Sequence, residues 1–323
     1  MSVTSTPRHG ALEAVVVENE RLRLVTVPDL GARIVSLVDR ATGREWLVQG
    51  EPPVDPMAWA GPDAVFGDAQ AYGWDECLPT VARCPDPLDP WGPWVRDHGD
   101  GWGRPCDVRV HRDGTMVAGW RVPARYLFRR TLRLDGPTVL LEYAAESLGP
   151  DLPFLWSMHP LLALEPGARI ELPGVGHLGL THVVGLDLET VDGRVGWPMA
   201  LTADGLTVDL SLVRDVSARI ALKLAGDAPP DGSVLVRQPD GSTLVMDWDP
   251  RSAPALGVWL DFGGWPAGAG RHQVALEPAT SPDEDLASAV ASGRAVILRG
   301  RGARASWTVR LSVDETRGGE WSR

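Results

Sequence analysis

The chain has 323 residues and a formal net charge of −12, from 31 Lys+Arg against 43 Asp+Glu. This acidic balance disfavours a nucleic-acid or anionic-membrane partner, because phosphate groups are bound mainly by clustered positive charge. No stretch approaches the roughly 18 apolar residues that cross a bilayer, and the first ten residues lack the apolar run of a signal peptide. Cys77, Cys84 and Cys106 form no CxxC pair. A cytoplasmic protein is therefore the default expectation.

Alternation of polar and apolar residues predicts half-buried β-strands along most of the chain. Clear examples are residues 22–27, 107–111, 131–134 and 307–311. Asp-Gly pairs such as Asp113-Gly114 and Asp135-Gly136 supply the positive φ that tight hairpin turns require. The pattern is that of a long antiparallel β architecture.

The longest interruption of the strand pattern runs from Gly50 to Pro105 and is dense in Pro, Gly, Trp and Asp. It contains the run Trp74-Asp75-Glu76 and the tripeptide Asp97-His98-Gly99. Irregular stretches this long inside a compact domain usually carry function. We therefore expect this segment to contribute to a binding site.

One stretch predicts a helix, from Pro282 to Ser292. Ser281 is its expected N-cap, Glu284 its capping-box partner and Gly293 its terminator. The chain has no fixed-period repeat and no Ser/Gly linker. The prediction is an all-β fold, a large antiparallel β-sandwich, with residues 1–10 as a flexible N-terminus and residues 11–323 as a single domain.

The aromatic residues are dominated by tryptophan, with 14 Trp against 3 Tyr and 4 Phe. Most Trp side chains in proteins fill the core and brace loops. Several here lie near Gly, Pro or acidic residues, among them Trp74, Trp259 and Trp265. A flat apolar ring beside carboxylates suits a sugar, which offers both C–H faces and hydroxyl groups.

Two imidazoles and a carboxylate stand out as candidates for proton transfer near neutral pH. His98 lies in the Asp97-His98-Gly99 loop, His159 precedes Pro160, and Glu277 stands near the end of a strand pattern before Pro278. Each has a structural alternative, namely an exposed turn residue, a core histidine and a paired carboxylate. Because they are far apart in sequence, only a folded β scaffold brings them together.

The sequence resembles the galactose mutarotase-like (aldose 1-epimerase) superfamily. The resemblance lies in residues 27–37 with their Gly31-Ala32 turn, in residues 97–99, 156–160 and 275–280, and in the order His, His, Glu. It covers most of the chain, from about residue 22 to residue 313. It implies a β-supersandwich that binds an aldose in an open cleft and needs no cofactor or metal.

Within that resemblance Glu277 is the general base that takes the proton of the anomeric hydroxyl, and His159 is the general acid that protonates the ring oxygen. His98 holds a sugar oxygen. We expect Glu277 and His159 to face each other across one sugar-sized hollow. The predicted substrate-binding residues are Trp74, Asp75, Glu76, Asp97 and Trp259.

The sequence departs from the family pattern at two places. The family's Asn-Arg pair in the early loop is replaced by Trp74-Asp75-Glu76, whose carboxylates either bind sugar hydroxyls or pair with arginines such as Arg83. An additional family aspartate has several candidate positions here, which are Asp209, Asp215, Asp247 and Asp261. The identity of the sugar is therefore left open.

The predicted function is interconversion of the α and β anomers of an aldose by acid/base ring opening and closing. Two alternatives remain. The same fold can serve as a carbohydrate-binding or sensing domain without catalysis, and a hexose-phosphate epimerase would need arginines at the cleft. The expected partner is a small sugar, and the oligomeric state stays open.

Overall fold

The structure, a computed structural model, describes residues 7–69 and 71–315. The strands are β1 (Arg8–His9), β2 (Leu12–Glu13), β3 (Val15–Glu18), β4 (Leu22–Val27), β5 (Arg33–Asp39), β6 (Arg44–Glu45), β7 (Trp74–Cys77), β8 (Asp107–Val110), β9 (Met116–Val122), β10 (Tyr126–Asp135), β11 (Thr138–Ser147), β12 (Asp151–Phe154), β13 (Ser157–Leu162), β14 (Arg169–Glu171), β15 (His177–Val184), β16 (Arg194–Gly196), β17 (Met199–Leu201), β18 (Thr207–Asp209), β19 (Ile220–Asp227), β20 (Ser233–Arg237), β21 (Ser242–Trp248), β22 (Ala255–Phe262), β23 (His272–Ala279), β24 (Val296–Arg299) and β25 (Arg304–Glu315). Helix α1 spans Leu286–Ala291, and short 3-10 turns span Pro28–Leu30, Pro56–Trp59 and Val216–Ala218.

Two large antiparallel sheets dominate the described part of the chain. The first, which we call the site sheet, has 11 strands in the order β16-β15-β19-β22-β23-β13-β7-β5-β4-β3, with β6 beside β5. The second, the back sheet, has 8 strands in the order β14-β20-β21-β25-β11-β10-β9-β8. The predicted all-β sandwich is therefore confirmed.

The core lies between these two sheets. Leu24 and Leu37 of the site sheet belong to the same cluster of buried apolar side chains as Phe128, Leu141 and Val309 of the back sheet. The predicted strands at residues 22–27, 107–111, 131–134 and 307–311 fall on β4, β8, β10 and β25. Alternation located them because each has one face on this core.

The middle of the site sheet is buried on both faces. Every residue of β7 and β13 is buried, as is β23 from Gln273 onward. Met158 and Leu276 point into the sandwich core, and their neighbours His159 and Glu277 therefore point to the opposite face. Polar groups on that second face lie beneath loops. Burial there strengthens each hydrogen bond and makes an unpaired polar group costly.

The predicted helix is shorter than expected. Helix α1 begins after Asp285, whose Oδ1 accepts a hydrogen bond from the Ser288 amide at 2.8 Å. The expected N-cap Ser281 instead donates its hydroxyl to Asp283, and Glu284 lines a cavity. Within the described residues, no helix has the length and apolar character to span a membrane.

The long segment from Gly50 to Pro105 holds more regular structure than predicted, because β7 crosses it in the middle of the site sheet. Of the predicted flexible N-terminus, residues 1–6 lie outside the described residues, and Arg8–His9 pairs with Leu12–Glu13. The single domain over residues 11–323 stays a prediction.

A charged network is buried between the two sheets. Arg130 Nη1 donates to Glu76 Oε1 at 2.9 Å, and both side chains are 0% exposed. Tyr143 and Trp156 donate to the same carboxylate. A buried charge of this kind is tolerated only because its hydrogen-bonding capacity is used.

Replacing Arg130 with Met is expected to lower the free energy of unfolding by about 3–5 kcal/mol, because Glu76 then keeps its burial without its cation. Urea unfolding followed by tryptophan fluorescence measures the change. The matched control is Arg304→Met, which breaks an ion pair whose arginine is 71% exposed and costs at most about 1 kcal/mol. Equal losses in the two variants would contradict the assignment.

Candidate functional site

A cavity of about 300 Å³ opens on the loop-covered face of the site sheet. Its lining includes four of the predicted site residues, Asp97, His98, His159 and Trp259, which come from distant parts of the chain. The remaining lining residues are Val65, Phe66, Gly67, Ala71, Val81, Ala82, Leu161, His182, Lys223, Trp265, Gln273 and Glu284. The volume lies at the lower end of the range of about 300–1,000 Å³ typical of small-molecule sites.

His159 and Glu277 are immediate neighbours on paired strands. Ser157 pairs with Ala279 and Leu161 with Ala275, so His159 of β13 lies opposite Glu277 of β23. The distance from His159 Nε2 to Glu277 Oε1 is 3.7 Å. The two groups therefore lie side by side, and the cavity opens beside them and not between them.

Glu277 is held by a lysine that sequence reasoning missed. Lys223 Nζ donates to Glu277 Oε2 at 2.5 Å, with the two side chains 12% and 2% exposed. Burial opposes ionisation of Glu277, but the Lys223 ammonium lowers the pKa of that carboxyl. Glu277 is thus an ionised carboxylate, and its Oε1 has no hydrogen-bond partner among the described residues.

Gly257 makes room for this ion pair. It lies opposite Glu277 on the neighbouring strand β22, and a Cβ atom there would lie 2.7 Å from Glu277 Oε2. The carboxylate can therefore lean across β22 toward Lys223 on β19 only because position 257 has no side chain.

Burial keeps His159 neutral. Loss of solvent lowers the pKa of its imidazole to about 3, although the adjacent Glu277 carboxylate acts in the opposite direction. Its Nδ1 has no hydrogen-bond partner within the described residues. At neutral pH this side chain carries one N–H group and one free nitrogen lone pair.

His98 is fixed by its own loop. Its Nδ1 lies 2.9 Å from Asp97 Oδ1, and the second carboxylate oxygen accepts the Phe66 amide at 2.7 Å. Burial opposes the ionisation of Asp97, but the hydrogen bond from His98 lowers the pKa of that carboxyl. Phe66 stacks on the His98 ring at 4.1 Å, and the His98 ring meets His159 edge-on at 5.2 Å.

Two indole rings form one wall of the cavity. Trp259 and Trp265 meet at 89° with their centroids 5.9 Å apart. Asp261 Oδ1 supports this wall, because it accepts the backbone amides of Gly264 and Trp265 at 3.0 and 3.1 Å. Of the four candidate positions for the additional aspartate, none lines the cavity, and Asp261 contacts the lining residue Trp265.

The structure does not bring Trp74, Asp75 and Glu76 to the cavity lining. Trp74 and Glu76 point into the sandwich core, where Glu76 pairs with Arg130. Asp75 points to the other face but is held by Arg33 at 2.8 Å, with both side chains at most 1% exposed. The carboxylates thus follow the arginine-pairing alternative, although with other partners, since Arg83 pairs with Asp63.

The missed residue Lys223 had a signal in the sequence. It is the only lysine in a chain with 31 Lys+Arg, so a lysine at this one position is a departure from the chain's strong preference for arginine. Glu284 also lines the cavity, where burial raises the pKa of its carboxyl. Among the residues described, no group of three or more His, Cys, Asp or Glu side chains is placed to hold a metal ion.

Neither the family models nor the curated proteins contain a match to this chain. Solved structures do match. A galactose mutarotase related enzyme from Lactobacillus acidophilus is 15% identical, with 95% of this chain and 99% of that chain covered and a TM-score of 0.63. A galactose mutarotase-like protein from Lactobacillus casei is 15% identical, with 93% and 100% covered and a TM-score of 0.57.

An aldose epimerase homologue from C. elegans is 13% identical, with 95% of this chain and 100% of that chain covered and a TM-score of 0.55. At such low identity these similarities establish the fold. The chain has the galactose mutarotase-like fold that its sequence resemblance predicts.

The neutrality of His159 predicts an acid-dependent loss of stability. In the unfolded chain His159 has its usual pKa of 6.5, whereas the buried ring stays neutral down to about pH 3. Below pH 6.5 the unfolded state therefore takes up a proton that the folded state does not, and the free energy of unfolding falls as the pH is lowered. Between pH 6.5 and 5 the loss is about 1.5 kcal/mol. Urea unfolding of the wild type and of His159→Gln at both pH values measures it.

The difference in pH dependence between the wild type and His159→Gln gives the contribution of His159. The control is His111→Gln, which removes an exposed histidine. Equal pH slopes for the wild type and His159→Gln would refute the prediction.

Proposed function

We propose that this protein interconverts the α and β anomers of an aldose by opening and closing the sugar ring. The observation that carries the proposal is one cavity lined by His98, His159 and Lys223, with two indole rings as one wall and with Glu277 beside both His159 and Lys223. Proton-transfer groups beside flat apolar rings fit a small molecule with C–H faces and exchangeable hydroxyl groups.

Glu277 is the proposed base for the anomeric hydroxyl. Its ionised state supports this role, as does its Oε1 atom, which accepts no hydrogen bond from the described residues. His98, oriented by Asp97, donates to or accepts from a sugar oxygen. His159 is the proposed acid, as the resemblance implies: its N–H protonates the ring oxygen while Glu277 takes the anomeric proton, and closure of the ring returns both protons.

The charges around the cavity favour an uncharged sugar over a sugar phosphate. Among the residues that the structure describes, no arginine lines the cavity, and Lys223 is already paired with Glu277. Asp97 and Glu284 add carboxyl groups to the lining. A phosphate dianion needs an excess of donors and positive charge, so the hexose-phosphate alternative ranks below a neutral aldose.

The discriminating experiment for catalysis is the rate of anomer exchange. Freshly dissolved α-glucose and α-galactose, followed by polarimetry or NMR, should equilibrate faster with the wild type, and Glu277→Gln should lose about 10²–10⁴-fold of that acceleration. The anomer exchange of glucose 6-phosphate, measured in parallel, should be accelerated less. The control Glu146→Gln removes a carboxylate from an ion pair on the back sheet and should keep full activity.

Absence of acceleration on every aldose tested, together with intact sugar binding by calorimetry, would replace this function with that of a carbohydrate-binding domain. Equal activity of Glu277→Gln and wild type would reject Glu277 as the base.

The indole wall generates a prediction about affinity. Trp259→Ala should raise KM for the aldose about tenfold, which corresponds to about 1.4 kcal/mol, and should change kcat little because the ring holds the sugar without transferring a proton. The matched control is Trp91→Ala, which removes an indole that is 98% exposed and does not line the cavity. A larger change in kcat than in KM would contradict the binding role.

A further inference from the structure

Glu284 is a partly buried acidic residue at the cavity to which the proposed reaction gives no role. Its side chain lines the main cavity, and burial raises the pKa of its carboxyl. The two neighbouring acids are used elsewhere, because Asp283 pairs with Arg294 at 2.6 Å and Asp285 caps helix α1. Of these three consecutive acids, Glu284 alone therefore faces the space where a sugar would bind.

Backbone contacts fix the position of Glu284. Its carbonyl oxygen accepts the Ala82 amide at 2.6 Å, and the Leu286 amide donates to the Thr80 hydroxyl at 3.0 Å. The Leu286 side chain is fully buried. Because Ala82 itself lines the cavity, these contacts hold residue 284 at the cavity wall through its backbone.

Strand order places Glu284 on a defined side of Glu277. The site sheet runs β19-β22-β23-β13, so His159 of β13 lies on one flank of Glu277 and Lys223 of β19 lies on the other. Glu284 lies on the Lys223 flank, because these two side chains line both the main cavity and the small crevice that Glu277 also lines. Glu277 therefore has the imidazole on one side and the Glu284 carboxyl group on the other.

The connectivity of an aldose decides which of its groups lies on each flank. The anomeric carbon C1 carries the anomeric hydroxyl, the ring oxygen and C2. With the anomeric hydroxyl at Glu277 and the ring oxygen at His159, C2 must lie on the side away from His159. That is the flank of Lys223 and Glu284, so the hydroxyl group on C2 meets the Glu284 carboxyl group.

We propose that Glu284 is a specificity-determining residue that binds the hydroxyl group on C2 of the aldose and excludes larger substituents at that carbon. The proposal rests on the proposed function, which places C1 at Glu277. A carboxyl group has an oxygen that accepts a hydroxyl hydrogen bond whether or not the group is ionised. The substrate class is thus an aldose with a free hydroxyl on C2, and not a 2-deoxy or 2-acetamido sugar.

The space around Glu284 supports the exclusion of larger groups. The crevice that it shares with Glu277 has a volume of about 10 Å³, which is room for about one water molecule and too little for an acetamido group. On its other side Glu284 lines an outer crevice of about 550 Å³ together with Thr181 and Ala225. The Glu284 side chain is therefore a wall between the main cavity and the outer crevice, and its truncation would join the two spaces.

Deoxy sugars test the hydrogen bond. For the wild type we expect kcat/KM for anomer exchange to be at least about tenfold lower with 2-deoxyglucose than with glucose. Glu284→Ala should lose most of this preference, whereas Glu284→Gln, which keeps a carbonyl acceptor, should retain more of it. An unchanged preference in Glu284→Ala would overturn the proposal.

Two controls separate this role from a general loss of activity. The preference for glucose over 6-deoxyglucose, whose missing hydroxyl lies on the ring-oxygen side, should be the same in the wild type and in Glu284→Ala. Asp283→Asn, which alters the neighbouring acid outside the main cavity, should keep the wild-type preference for the C2 hydroxyl. Loss of both sugar preferences in Glu284→Ala would overturn the assignment to C2.

A gain of activity tests the wall. The wild type should accelerate N-acetylglucosamine at least about tenfold less than glucose. Glu284→Ala should narrow that gap, because the outer crevice then accepts the acetamido group, and a gain of this kind cannot come from misfolding. A gap of the same size in both proteins would overturn the exclusion of larger substituents.

Binding measurements distinguish failure of this proposal from failure of the proposed function. Calorimetry should show that the wild type binds glucose more tightly than 2-deoxyglucose, and that Glu284→Ala binds the two equally. A wild type that accelerates no aldose would defeat the epimerase function, yet this difference in binding would still support the role of Glu284. An active wild type that treats glucose and 2-deoxyglucose alike would overturn the role of Glu284 alone.

Discussion

The two-residue period of the central site-sheet strands is the constraint on which the candidate site depends. In β13 and β23 alternate residues belong to the sandwich core, as Met158 and Leu276 do, while His159 and Glu277 point to the opposite face. A register shift of one residue would exchange these sets and place the charged groups in the apolar core. The core therefore determines which polar side chains can meet the cavity.

The two faces of this sheet use buried charge in different ways. On the core side, the Glu76 carboxylate receives hydrogen bonds from Arg130, Tyr143 and Trp156 and is fully enclosed. On the cavity side, Glu277 is paired with Lys223 through one oxygen, and its other oxygen accepts no hydrogen bond from the described residues. Glu76, with both oxygens hydrogen-bonded, stabilises the sandwich. Glu277, with one oxygen not hydrogen-bonded and a cavity beside it, keeps the capacity to accept a proton.

Sequence patterns predicted the strands well and the local details less well. Alternation located β4, β8, β10 and β25 because each packs one face on the core. It failed for Trp74-Asp75-Glu76, whose polar residues are typical of a loop but form a central strand. The arginines that neutralise these carboxylates, Arg33 and Arg130, lie far away in sequence, so no local pattern could reveal the pairing.

The sequence by itself determined the fold class, the resemblance to the galactose mutarotase-like superfamily and the candidate residues His98, His159 and Glu277, because strand period and short motifs are local properties. Only the tertiary structure decided that Glu277 lies beside His159 and pairs with Lys223, since both contacts depend on register between strands distant in the chain. The ionisation states of these groups follow from the same burial and pairing.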